Sequence, residues 1–433
     1  MAVTRRRVAE GDNEKKEKDQ EREEEESDDD EESSVQEPPK WDHKLGAGFS
    51  SDLGRGLFRR LLHWGPLIAL FLIFYIGITA TWLSLNWWPI DTVGGFIHLF
   101  VFLLWNCLTF VNMLTASYIG GGFLPLEWTP DIEKADKRLQ WCSQCKGYKA
   151  PRAHHCSKCG RCVMKMDHHC PWINNCVGHR NHRHFTFFLL FACVGCVHAC
   201  VIIASSLYHA VHLNWYIKYS KDQDFPIVQV TLYSFLSSVL ACAFAGGVAV
   251  AVGVLLYIQL KEISRNKTAL EDYIVGKAES SREHNESLAP FTYPYDLGTM
   301  RNFKEVFGEG ASRLNGVWWP VVKGCTQFSL TEEQLRQKKE KEKRARLVQI
   351  TRDYKGGWWR AACVGPKTFF CQPLTEEARV EIKEKERWIV TRGSKQWLYG
   401  RREGEGEHDV KGWFPRSYAV LVEEDNTREE EEE

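Results

Sequence analysis

Apolar residues along this chain gather into four long uncharged runs, near 64–86, 94–117, 185–212 and 233–258, while charge is concentrated elsewhere. Each run reaches the ~20 residues that an α-helix needs to cross a hydrocarbon core of about 30 Å. Trp64, Trp82, Trp87 and Trp88 flank them where aromatic rings favour a membrane–water interface, so the runs read as membrane spans rather than buried core helices. Ahead of them the chain is acidic low complexity. Positions 21–32 hold ten acids in twelve residues and offer nothing apolar to bury, which predicts a disordered tail. No apolar h-region follows Met1, so no cleavable signal peptide is expected. Beyond the fourth span, the charged stretch 331–346 predicts a helix or linker. From about 347 to 422, short β-branched and aromatic runs between Gly-rich turns predict a small β-barrel.

The expected organisation is an acidic N-terminus (1–45), two spans (60–117), a Cys/His loop (118–184), two further spans (185–260), a tail and linker (261–345), a β module (346–422) and an acidic end (423–433). The fold class is an all-α polytopic membrane protein with four transmembrane helices, carrying a Cys/His loop domain and a C-terminal β-barrel. The lipid bilayer is its surroundings, and with Lys+Arg 56 against Asp+Glu 57 no nucleic-acid partner is expected. Basic residues orient the spans. Arg55, Arg59 and Arg60 precede the first span, eleven Lys/Arg lie in the loop from 117 to 184, and Lys261, Arg265 and Lys267 follow the fourth, so both termini and the Cys/His loop are assigned to the cytosol. The cytosol is reducing, so cysteines there stay as thiols, thiolates or metal ligands. The sequons at Asn266 and Asn285 fall on the same side and are discounted as glycosylation sites.

Fifteen cysteines are present, seven of them between Cys142 and Cys176. Cys142, Cys145, His155 and Cys162 form C-x2-C-x9-H-x6-C, and Cys156, Cys159, His169 and Cys176 repeat it fourteen residues later. Three thiolates and one imidazole suit a closed tetrahedral zinc site, and a segment this short and polar needs metal to fold. His154 and His168 are also fourteen apart, so spacing alone leaves the choice of histidine open. Two such sites leave one cysteine over, Cys170, in the run Asp167-His168-His169-Cys170. A thiol beside an imidazole that a carboxylate orients is what nucleophilic cysteine catalysis requires; a spare ligand in a purely structural knuckle is the alternative.

These motifs, set between the second and third of four spans, closely resemble the DHHC protein S-acyltransferases, over roughly 60–308. The resemblance implies two structural zinc ions, held by Cys142, Cys145, His155 and Cys162 and by Cys156, Cys159, His169 and Cys176. It likewise implies that Cys170 is acylated, that His168 is its base and that Asp167 orients that base. The implied reaction moves a long-chain acyl group, palmitoyl, from acyl-CoA to cysteines of membrane-associated or membrane-spanning proteins. Because Cys170 lies just ahead of the third span, the alkyl chain can lie among the helices, where each buried CH₂ is worth about 0.8 kcal/mol. Trp172, Phe185 and Phe188 are expected to wall that pocket. Eight Lys/Arg against the single acid Asp167 between 142 and 184 would attract coenzyme A phosphates, although anionic lipid headgroups explain them equally.

Two elements depart from the family pattern. Gly120-Gly121-Gly122-Phe123-Leu124-Pro125 stands where the family carries Asp-Pro-Gly, and Thr268-Ala269-Leu270-Glu271 stands for Thr-Thr-x-Glu, so Ala269 lacks a hydroxyl expected to fix the active-site region. Asn302 to Gly308 resembles the family's C-terminal packing element, while Cys193, Cys196 and Cys200 share one helical face and read as packing residues.

The β module resembles an SH3 domain, in which Tyr354, Trp397, Pro415 and Tyr418 would line a groove for a Pro-rich or regulatory partner. Four spans, this loop and an SH3-like end together resemble the endoplasmic-reticulum branch of the family, which implies that membrane as the address with the Golgi as the alternative, since positions 429–433 carry no dibasic or KDEL-type signal. One of Cys325, Cys363 or Cys371 is expected to receive a regulatory acyl group, being cytosolic, unpaired by spacing and tethered near a membrane. A zinc-bearing membrane adaptor is the competing reading; a transporter ranks below it, because the spans hold few ionisable residues beyond His98 and His198.

Overall fold

A computed structural model describes residues 35–36, 57–88, 90–130, 135–219, 228, 230–285, 287–308, 316–375, 377–404 and 410–422. The chain separates into a unit ending at Thr331 and a second unit beginning at Glu332. The acidic tails expected at 1–45 and 423–433 lie outside the described residues, apart from Val35–Gln36, which pairs antiparallel with Val321–Val322.

Four helices are long and apolar enough to cross a membrane: α1 (Trp64–Trp87), α2 (Val93–Ile119), α3 (His182–Val211) and α4 (Leu232–Ser264). Thr92 caps α2 and Thr231 caps α4, each hydroxyl accepting a first-turn N–H. Large side chains on the outer faces are exposed, among them Phe71, Phe100 and Val250, as suits contact with lipid. The inner faces meet in a core built on Ile76, Phe102, Ile202 and Ala245. His98 and His198 face each other there with their Nε2 atoms 3.0 Å apart, one ring donating to the other.

Between α2 and α3 the chain folds into three hairpins: β1 (Trp141–Cys142) with β2 (Gly147–Tyr148), β3 (His154–Cys156) with β4 (Arg161–Val163), and β5 (His168–Cys170) with β6 (Asn175–Val177). Each turns through a left-handed residue, Lys146, Gly160 and Asn174, at intervals of fourteen. The missing acid after α2 does not leave that helix end loose. The Asn175 amide donates to Ser117 O at 2.9 Å and the Asn181 amide to Ala116 O at 3.0 Å, capping the last carbonyls. Gly121 lies so close to Val163 that a Cβ there would come within 2.7 Å of its side chain.

Past α4, Thr268 opens α5 (Ala269–Glu283) with a reciprocal capping box to Glu271. In α6 (Thr299–Phe307) the buried Asn302 donates to Ser264 O at 2.8 Å and to Asp296 Oδ1 at 2.7 Å, tying the end of α4 to this tail as the packing-element resemblance implies. The charged stretch expected at 331–346 is helical as far as Lys343, in α7 (Ser329–Lys343). Cys325 is buried, its thiol directed at Thr292 O.

In the second unit the β-rich stretch forms β7 (Arg346–Ile350), β8 (Tyr354–Lys355), β9 (Glu381–Ile382), β10 (Arg387–Gly393), β11 (Trp397–Arg402), β12 (Lys411–Pro415) and β13 (Ala419–Leu421). Five of them make an antiparallel sheet in the order β12-β11-β10-β7-β13, and β8 pairs with β9. Trp388, Trp397 and Phe414 fill its core. The groove expected along Tyr354, Trp397, Pro415 and Tyr418 is not open. Trp397 is 0% and Tyr354 4% exposed, and Pro415 is buried. The segment between β8 and β9, which carries a short helix α8 (Pro366–Phe370), folds back on them: Trp397 Nε1–H donates to Thr368 O at 3.0 Å, and the Tyr354 hydroxyl donates to Gly357 O at 2.7 Å.

Candidate active site and metal-binding hairpins

The hairpin registers explain the interleaved spacing. In the second hairpin His155 stands directly across from Cys162, and in the third His169 stands across from Cys176. Each cross-strand His/Cys pair meets the two-cysteine turn of the preceding hairpin, so one cluster joins Cys142 and Cys145 to His155 and Cys162, and the other joins Cys156 and Cys159 to His169 and Cys176. A bound ion would staple hairpin one to two and two to three.

The separations fit a small tetrahedral ion. His155 Nδ1 lies 3.5, 3.4 and 3.9 Å from the sulfurs of Cys142, Cys145 and Cys162. His169 Nδ1 lies 3.6, 3.5 and 3.7 Å from Cys156, Cys159 and Cys176, and the last two sulfurs are 3.5 Å apart. Metal–sulfur bonds of ~2.3 Å and metal–nitrogen bonds of ~2.0–2.1 Å around a tetrahedron put ligand atoms about 3.6–3.8 Å apart, which these sets approach closely. His154 and His168, the alternatives that spacing left open, fall outside both clusters.

The third hairpin repeats the first two with one change. Cys170 occupies the place of Cys142 and Cys156 at its turn, but Ile173 stands where a second turn cysteine would be, and among the described residues no further hairpin supplies a His/Cys pair. Cys170 is thus a knuckle cysteine without a cluster. Side chains alternate along a strand, so His168 and Cys170 share one face of β5 while His169 points to the other, where its cluster lies.

Asp167 is 3% exposed. Its Oδ2 accepts from His168 Nδ1 at 3.0 Å, and its Oδ1 accepts the backbone N–H of Ala269 at 2.9 Å. The hydroxyl missing at Ala269 is therefore not needed to hold this carboxylate; the first free N–H of α5 does so. Burial opposes the charge on Asp167, yet His168 and the Ala269 N–H hold its carboxyl below the ordinary value. Burial also opposes the imidazolium of His168, but Asp167 and Cys170 outweigh it and lift the ring to about 10. The ring stands edge-on to Phe185, centroids 5.4 Å apart.

A cavity of about 710 Å³ opens from this point among α1, α2, α3 and α4. Its walls include Asp167, His168, Cys170, Trp172, Phe185 and Phe188, so all six residues expected at the acyl site meet in one place. The remainder is mostly apolar, with small residues such as Ala192, Gly195, Ala243 and Gly247 among the helices, and Asn106, Thr109, Gln259 and Glu262 as its polar members. Its size lies in the range of about 300–1,000 Å³ usual for ligand pockets. Cys196 lines it as well, whereas Cys193 and Cys200 pack against α4 backbone carbonyls.

Sequence reasoning missed the support beneath the site. Arg152, counted among the basic residues of the loop, is buried and forks onto Glu271 at 2.6 and 2.8 Å. It also donates to Asn266 Oδ1 and O, and its guanidinium lies 4.4 Å from the Tyr295 ring. Glu271 completes the capping box of α5, so one buried ion pair fixes the helix end that holds Asp167. The Thr-x-x-Glu pattern was the legible half of this; nothing in the sequence marked Arg152 as its partner. Lys165 is likewise buried, against the Trp319 ring, which removes a second cation from those able to meet a phosphate. Gln259 and His182, 2.7 Å apart, were also unforeseen; Gln259 lines the cavity.

The DHHC palmitoyltransferase family model matches residues 135–275, which contain all three hairpins and the start of α5. Human palmitoyltransferase ZDHHC6 is 42% identical over 378 residues, covering 83% of this chain and 91% of its own length. The zebrafish (Danio rerio) protein of that name matches to the same extent. The probable protein S-acyltransferase 16 of Arabidopsis thaliana is 29% identical over 233 residues, covering 52% of this chain and 77% of its own. The chain belongs to the DHHC palmitoyltransferase family. It is a multi-pass membrane enzyme, a protein S-palmitoyltransferase.

Proposed function

We propose that this protein carries a palmitoyl group from palmitoyl-CoA to cysteines of membrane-associated or membrane-spanning proteins in two thiol exchanges through Cys170. In the first, His168 takes the Sγ proton of Cys170, and the sulfur attacks the thioester carbonyl of the donor. The carbon–sulfur bond to coenzyme A then breaks, and His168 returns the proton to the departing thiolate. In the second, His168 takes the proton of a substrate cysteine, that sulfur attacks the Cys170 thioester, and Cys170 leaves as the thiol. Atoms and protons balance over the cycle, and His168 ends as it began. Asp167 Oδ2 accepts from His168 Nδ1 and so orients the ring for these proton transfers.

The observation that carries this reading is the cavity wall shared by Cys170, His168 and Asp167. Trp172, Phe185 and Phe188 are the proposed guides for the first carbons of the chain. Zinc is the proposed occupant of both clusters, where it would hold the hairpins and leave no open position for chemistry. Incubation with a clickable palmitoyl-CoA analogue tests the reading: label sensitive to neutral hydroxylamine should appear on the native chain and vanish in Cys170→Ser. Label that persists in the variant would favour the adaptor reading.

The proposed address is the endoplasmic-reticulum membrane, with both termini and the hairpins cytosolic, supported by the basic residues beside the spans and the terminal β module. An SH3-like barrel remains the proposed class of that module, supported by its five-strand antiparallel order. Because its own chain covers Tyr354 and Trp397, a Pro-rich partner would first have to displace the α8 segment.

A further inference from the structure

The α8 segment of the second unit has two unlike faces. Its inner face is anchored: Ala361 is 0% and Thr368 5% exposed. Outward it presents Trp359, Phe370 and Leu374, which are 79, 82 and 93% exposed, and the rings of Trp359 and Phe370 both lie against Phe369, centroids 6.0 and 5.4 Å apart. Large apolar side chains gathered on one short segment are unlike the scattered ones any surface shows. Within 355–374 the charged residues are Lys355, Arg360 and Lys367, all exposed, and acids stand only at its borders, Asp353 before it and Glu376 and Glu377 after it.

We propose that this face is a membrane-contact surface, with Trp359, Phe370 and Leu374 entering the headgroup–acyl boundary of the bilayer while Lys355, Arg360 and Lys367 meet anionic lipid phosphates. Aromatic rings with cations at their rim match both layers of that boundary. The same chain carries four helices able to cross a membrane, so the surface is tethered near lipid and a weak contact is enough to be populated. A Pro-rich peptide, by contrast, would compete with Thr368 for the Trp397 N–H. The inference is independent of the acyl-transfer chemistry.

The full chain, reconstituted in phosphatidylcholine–phosphatidylserine nanodiscs containing a phosphatidylcholine with a diazirine on its acyl chain, is photolysed and digested with trypsin. Lipid adducts are expected on peptides from 356–379 as well as on the four helices. In a Trp359→Glu/Phe370→Glu variant the segment's adducts should fall at least tenfold while the helix adducts stay. Adducts confined to the helices, or unchanged in the variant, would overturn the proposal. So would an adduct-free segment that an amine crosslinker joins through Lys367 to a second copy of the chain.

Discussion

The backbone N–H of Ala269 donates to Oδ1 of Asp167 at 2.9 Å, joining the start of α5 to the strand that carries Cys170. Asp167 thereby has one oxygen for the helix and one for His168. The carboxylate that holds His168 is itself held by a helix N-terminus rather than by a neighbouring hydroxyl.

Replacing Ala269 by proline isolates that bond. Ala269 is the first residue of α5, where proline fits a helix, and Thr268 before it is already extended (φ −78°, ψ 162°). The folded state should persist, while Cys170 acylation slows about tenfold, the loss of roughly 1.4 kcal/mol that one hydrogen bond to a charged group can supply. Ala269→Thr keeps the N–H and should acylate at the native rate. Stopped single-turnover acylation compares the three.

Arg152→Ala should leave Glu271 buried and unpaired, destabilising the first unit by about 3–5 kcal/mol. Thermal unfolding in detergent checks this, and Arg152→Lys should recover only part of the loss, because one ammonium cannot reproduce the forked contact.

Chelation should release two zinc ions per chain, detected with a colorimetric indicator, and acylation should stop as the third hairpin loses its staple. His169→Ala should release one ion and abolish acylation, because that cluster holds the hairpin of Cys170.

A side chain at Gly65 should disturb the site from outside the loop. A Cβ there would clash with the carbonyl oxygen of Pro171, next to Cys170, so α1 could no longer approach as it does. Gly65→Ala should slow acylation while both metal ions stay bound, read by combining the zinc assay with single-turnover kinetics.

The pH response follows from His168. Its raised value means that its charge, and the stability that charge gives the Asp167 contact, is fully present below about 6.5 and is lost as pH rises through about 10. Asp167→Asn should move that loss down toward the ordinary histidine value, so the pH profile of acylation shifts to lower pH. A profile unchanged in the variant would contradict the assigned contact.

The spans and the ligand spacing were legible because they depend on composition and count. The four helix boundaries fall close to those read from hydropathy, and the leftover sulfur emerged from subtraction alone. Spacing alone left His154 and His155 open and the family resemblance implied His155; strand register supplies the reason, since His155 is the residue opposite Cys162. The Ala269 contact was hidden because it uses backbone, where a missing hydroxyl suggested a weakness that the fold does not have. Arg152 looked like one more surface cation until its tertiary partner was in place. The groove of the β module was misread for the same reason: Trp397 has the right neighbours in sequence, but a segment nearly thirty residues away in the chain covers it.

The central claim is that the one cysteine of the hairpins left outside both clusters is the acyl carrier. The most direct measurement maps the palmitoyl thioester by mass spectrometry after a single turnover of the purified chain with palmitoyl-CoA and no protein acceptor. The acyl group is expected on Cys170, with the six cysteines of the two clusters unmodified. An acyl group that formed elsewhere in the chain while Cys170 stayed a free thiol would contradict it.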